Sequence, residues 1–207
     1  MKRQMLTIAL IILGISVLGV SASAQIIGTD NFKVNYFSNN GVSGAPDATV
    51  RIDNPGSVDT ENGTPGSLCA MIYVFDNDQQ LSECCGCVVT PDGLLTLSVG
   101  KNLTANPLTG VVSNNGVIKI VSEVFNARVS DLLGCDPAAS NFEAVASIRA
   151  WATHIQNKVG TAYPITETPF SDATLSESEI TFNLIEQCSF AQRLGSGHAV
   201  CSCGTGD

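Results

Sequence analysis

Apolar and polar residues alternate at Phe32, Val34 and Tyr36, and again at Val50 and Ile52, with Asn-Asn-Gly and Gly-Ala-Pro turn formers between the two runs. A period of two predicts half-buried strands. The stretch from Leu68 to Asp76, LCAMIYVFD, is the most strongly apolar run outside the N-terminal leader and predicts a central strand. TPDG then predicts a turn, LLTLSV a further strand, and VIKIVSEV another, after a loop broken by Asn-Pro and Asn-Gly. From Phe32 to Val124 about six strands follow at hairpin-like spacing, which is the pattern of an antiparallel β-sandwich or barrel.

The last third changes character. In SNFEAVASIRAWATHIQNKVG, Ser140 and Glu143 have the spacing of a capping box, and Val145, Ile148, Ala152, Ile155 and Val159 recur at helical intervals, so a helix is predicted up to Gly160. A second capping box, Ser176 with Glu179, opens a second predicted helix through Ile180, Leu184 and Cys188 towards Leu194 and the Gly195 stop. There Ile180, Phe182 and Leu184 also alternate as in a strand. The expected fold is α+β: an antiparallel sandwich or barrel in residues 25–134, followed by two helices and a disulfide-tethered tail in residues 135–207.

The first 24 residues read as a secretory signal peptide. Lys2 and Arg3 precede the apolar run from Met5 to Val20, and Ala22 and Ala24 stand before Gln25. The run is shorter than the ~20 residues that span a bilayer, so no membrane span is expected after cleavage. The chain carries nineteen Asp and Glu against ten Lys and Arg, two of which lie in that leader. Such a field repels phosphate and disfavours a nucleic-acid partner.

The eight cysteines, Cys69, Cys84, Cys85, Cys87, Cys135, Cys188, Cys201 and Cys203, are even in number and belong to an expected oxidising compartment, extracellular, periplasmic or at the cell surface. Neighbouring Cys84 and Cys85 are too close to bond each other. Cys85 with Cys87, and Cys201 with Cys203, would project side by side on an extended chain, so each cluster should pair outward. One arrangement joins Cys135 to Cys188, Cys201 and Cys203 to two members of the cluster, and Cys69 to the third; it is one of about 105 connectivities. The rival reading is a soft-metal site made of Cys84, Cys85, Cys87, His198, Cys201 and Cys203. Its Cys-Cys-x-Cys and Cys-x-Cys spacings depart from the usual zinc knuckle.

Catalytic signals are weak. Only His154 and His198 can serve as imidazole bases, and neither a Gly-x-Ser-x-Gly elbow nor a His-Glu-x-x-His pair accompanies them. His154 is expected on a half-exposed helix face, whereas His198, in the glycine-rich tail, is the better candidate. Asp76, Asn77 and Asp78, with Glu83 beyond, resemble the start of a calcium loop but lack its Gly and distal Glu, and fit a solvated strand end. Glu177 and Glu179 fit first-turn helix charges. Asn62 and Asn102 open sequons in predicted loops.

The run CAMIYVFDNDQQLSECCGCVVTPDGLLTLSV, the segment RAWATHIQ and the ending CSCGTGD together resemble an uncharacterised family of secreted bacterial proteins, over roughly residues 69–207. That resemblance implies secretion and no assigned catalytic residue or cofactor. The expected role is non-catalytic, structural or adhesive, with the protein itself or cell-surface material as partner. In one mechanism residues 25–39 leave their own sheet to complete a neighbour's edge; in the simpler one they are the first strand of their own sandwich. A small enzyme or metal binder centred on His198 is the second expectation. A carbohydrate-binding module is the third, poorly supported by one Trp and three Tyr.

Overall fold

The computed structural model describes residues 31–59, 65–125, 134–139, 144–145 and 147–204. The expected signal peptide, Asn62 and the Ser140–Glu143 capping box lie outside these residues. The strands are β1 (Phe32–Ser38), β2 (Thr49–Asp53), β3 (Leu68–Asp76), β4 (Leu81–Val89), β5 (Leu94–Ser98), β6 (Asn115–Val124), β7 (Arg149–Ile155), β8 (Ile165–Pro169) and β9 (Ser171–Asp172). They form two sheets, ordered β4-β3-β6-β1-β9 and β5-β2-β7-β8, and every strand pairing is antiparallel. A π-helical segment, Glu179–Ile185, leads directly into α1 (Glu186–Leu194).

Side-chain alternation explains the layering. Ala70, Ile72 and Val74 of β3 join Ile118 and Ile120 of β6 in facing Val50, Ile52, Leu97, Ala150 and Ala152 of the second sheet, and this is the sandwich core. The other face of β3 carries Cys69, Met71, Tyr73 and Phe75, which pack with Leu184, Cys188 and Ala191 of the C-terminal helix. Strand β3 is therefore covered on both faces. That is why eight of its nine residues are buried and why it reads as an unbroken apolar run.

Strand β1 pairs with β6 from Phe32↔Val121 to Ser38↔Asn115, so residues 32–38 are the first strand of their own sheet. The second predicted helix is present, with the Ser176 hydroxyl accepting from the Glu179 N–H, one half of the expected capping box.

The first predicted helix is overturned. Residues 149–155 form β7, between β2 and β8, with Val50↔Ala152 and Trp151↔Pro169 in register. Ala150, Ala152 and His154 point inward while Arg149, Trp151 and Thr153 point away, a period-two pattern hidden by alanines that also suit a helix. Pairing on both edges outweighs local helix propensity. The sandwich thus takes three strands from beyond residue 134, and Phe170, buried between β8 and β9, carries the chain from one sheet to the other.

Gly86 of β4 is where the Cys135 segment crosses the sheet. A Cβ built there would stand 2.1 Å from the Cys135 carbonyl oxygen, a backbone atom that cannot rotate away. Gly86→Ala should cost about 1–3 kcal/mol, as overpacking does, measured as a lower urea midpoint with an unchanged slope.

Candidate functional site

The Cys84–Cys87 cluster sits mid-strand on β4, where successive side chains leave on opposite faces. Cys84 points to the helix layer and bonds Cys188. Cys85 and Cys87 point into the sandwich and bond Cys201 and Cys203. Cys69 of β3 bonds Cys135. All eight cysteines are paired. The expected pairing of Cys201 and Cys203 with two cluster members is what forms, but Cys135–Cys188 and Cys69 with the third member are not. Cys69 and Cys84 share the outer face at different heights, Cys69 opposite Val88 and Cys84 opposite Tyr73, so each reaches a different covering segment.

The tail runs along the free edge of β4. The Cys84 N–H donates to the Ala199 carbonyl at 2.9 Å, the Cys201 N–H donates to the Cys84 carbonyl at 3.3 Å, and Cys84 and Val200 form a parallel bridge. The edge is closed by backbone bonds and disulfides together.

This arrangement removes the metal alternative's ligands. The sulfurs of Cys85, Cys87 and Cys203 lie within 4.8 Å of one another, but each is in a disulfide and offers no thiolate. His198 is exposed on the turn after α1, its backbone N–H bound to the Gly195 carbonyl, and is not part of that group.

Two buried ionisable side chains, Glu83 and His154, read as surface residues in the sequence. Glu83 of β4 is fully buried; Oε1 accepts from the Asn106 N–H at 2.7 Å, and Oε2 has no partner. Burial pushes its carboxyl up to about 7, against a smaller lowering by the Asn106 bond. Asn106 continues outward: its carbonyl accepts from the Ala199 N–H and its amide donates to the Gly197 carbonyl. The second is His154, expected half-exposed on a helix and found fully buried on β7. It stacks on Tyr36 with ring centroids 3.9 Å apart, with Nε2 at 2.7 Å from the Thr168 hydroxyl. Burial lowers its pKa and favours the neutral ring. Glu83 and His154 belong to different sheets and share no hydrogen-bond partner, so they do not make an acid–base pair.

The remaining candidates are structural in geometry. Asp76 turns the chain from β3 to β4, with Oδ1 accepting from the Asp78 and Gln80 N–H groups, while Asn77 accepts from the Ser113 hydroxyl. Glu83 is turned away from them, into the interior. Glu179 bridges to Lys119 at 2.5 Å and accepts from Asn183; burial alone would raise its carboxyl, but these two bonds hold it below the usual range. Glu177 is exposed in the first turn. Asn102 lies in a π-helical turn, Val99–Leu103, where its Oδ1 accepts from the Ser98 N–H, and Thr104 of the same sequon is buried.

A cleft of about 540 Å³ opens between α1, the β3–β4 turn and the 104–110 loop. Leu81 and Leu108 line it with Gln80 and Glu186, and it is walled by Phe182 and Phe190, which are 60% and 58% exposed. Phe182, Glu186, Phe190 and the 65%-exposed Leu194 follow at four-residue steps, one row along the helical segment. Period-two alternation at Ile180, Phe182 and Leu184 had masked that row. Its volume suits a ligand or an inserted side-chain cluster, and it holds one carboxylate and no cation.

Compared with known protein families, with curated proteins and with solved structures, the chain shows no significant match to any of the three.

Proposed function

We propose that the protein is a secreted, non-catalytic structural or adhesive module that associates with itself, as a surface or fibre subunit, and that it belongs with the secreted bacterial proteins its cysteine pattern resembles. The supporting observation is the exposed apolar row Phe182, Phe190 and Leu194 around the cleft, on a helix pinned to β4 by Cys84–Cys188. Contiguous exposed apolar surface on a rigid support marks an interaction site. Four disulfides, and the absence among described residues of a helix long and apolar enough to cross a membrane, are compatible with an extracellular or periplasmic place.

The test is the molar mass of the oxidised protein by sedimentation over a wide concentration range. Mass should rise with concentration, and the double variant Phe182→Ser, Phe190→Ser should remain monomeric with an unchanged far-UV spectrum. A wild-type protein that stays monomeric throughout overturns the self-association.

A further inference from the structure

The cleft's occupant can be argued from its shape and charge, on the footing of the self-association just proposed. It is concave, with Leu81, Leu108, Phe182 and Phe190 as its apolar lining and Glu186 as its one carboxylate. A twofold pairing of cleft on cleft would set hollow against hollow and leave both unfilled. The mate must be convex, and must bring an apolar side chain beside a positive charge.

Few places on the described surface meet that condition. Lys33, Arg51 and Lys119 are bound to Asp172, Glu167 and Glu179, and Arg149 lies within a strand, lining a second hollow with Lys33 and Asp172. Lys101 stands among Gly100 and Asn102, with no exposed large apolar neighbour in sequence. Arg193 adjoins Leu194 but lies on α1 itself, so offering it to another copy returns the cleft-on-cleft arrangement. The β7–β8 turn satisfies all three requirements. Val159 is 69% exposed beside exposed Lys158, and the tip is held by Val159 N–H to Ala162 carbonyl at 2.8 Å and the reverse bond at 3.2 Å, with Gly160 at positive φ. The Lys158 ammonium lies 5.5 Å from the Tyr163 ring. The tip is thus a narrow, ordered projection.

We infer that the β7–β8 tip of one copy inserts into the α1 cleft of the next, Val159 against Phe182 and Phe190 and Lys158 against Glu186. The two surfaces differ, the tip joining strands of one sheet and the cleft lying over the outer face of the other. The contact is therefore heterologous and repeats head to tail, giving a ring or an open filament.

Complementation of two blocked variants tests this with the oxidised full chain. Val159→Asp removes the tip and Phe190→Ser the cleft; each variant alone should be monomeric. Their mixture should form a 1:1 dimer that grows no further, because one intact tip and one intact cleft remain. Glu186→Lys should abolish association, and Lys158→Glu placed in the same chain should restore it. If Phe190→Ser blocks association while Val159→Asp does not, the cleft takes another occupant and this inference falls while the self-association stands. A wild-type monomer overturns both.

Discussion

Removing the Cys85–Cys201 bridge, as Cys85→Ala with Cys201→Ala, should lower stability by about 2 kcal/mol, and removing Cys87–Cys203 as well should bring the loss to about 5 kcal/mol. Each bridge spans 116 residues. Taken alone, a loop that long would be worth about 5 kcal/mol in chain entropy, and two would suggest about 10 kcal/mol. The bridges are not independent. With Cys87–Cys203 in place, Cys85–Cys201 closes a ring of only about four residues, which is worth about 2 kcal/mol. With both gone, Cys84–Cys188 still holds the helix to β4, and the first tail bridge then closes a ring of about fourteen residues, worth about 3 kcal/mol. Urea midpoints of wild type, the two single-bridge variants and the double-bridge variant measure this. A double loss near 10 kcal/mol, or one no larger than a single loss, would contradict the shared-ring account.

The same geometry shows what could be read in advance. Adjacent Cys84 and Cys85 were too close to bond each other, and Cys85 and Cys87 had to run parallel on an extended chain; the two tail cysteines met the parallel pair. Which covering segment met Cys69 and which met Cys84 depends on the β3–β4 register and on the course of the chain around Cys135, neither of which has a local signature. The strands up to Val124 were legible from their alternation or, for β3, from an unbroken apolar run, except β4, whose cysteine cluster gave no strand signal. Residues 149–155 were not, since alanines at 150 and 152 favour a helix and only pairing with β2 and β8 overrides that preference. The helix after Ser176 kept the Ser176 cap, while Glu179 turned to Lys119 and Asn183, and the helix carries the aromatics that wall the cleft.

A common physical cause runs through the site residues that sequence reading passed over. Glu83 and His154 look like surface residues by type, and each became buried through an inward-facing position in a strand whose neighbours are apolar. For His154 the cost is reduced by neutrality, Thr168 and the Tyr36 ring, although its Nδ1 has no hydrogen-bond partner. Glu83 has one hydrogen bond and an orphaned oxygen, so its ionisation is opposed in the folded state.

That opposition gives the second large effect. A carboxyl raised from its ordinary 4.5 to about 7 binds its proton more tightly in the folded than in the unfolded chain. The contribution to stability is therefore full below 4.5, is lost as pH rises through the interval to about 7, and is constant above it. The loss amounts to about 3 kcal/mol, at 1.36 kcal/mol for each pKa unit. Glu83→Gln keeps an oxygen for the Asn106 N–H and cannot ionise. Whatever fixed offset the amide introduces, the stability of the variant relative to wild type should rise by about 3 kcal/mol between about pH 4 and about pH 8. Glu179, whose carboxyl is held low by Asn183 and Lys119, contributes the opposite slope in both proteins and cancels in the difference. Urea unfolding at a series of pH values reads that difference directly. A difference that does not change with pH would mean that Glu83 ionises as readily in the folded protein as in the unfolded one, and that the orphaned oxygen is met by a partner when charged.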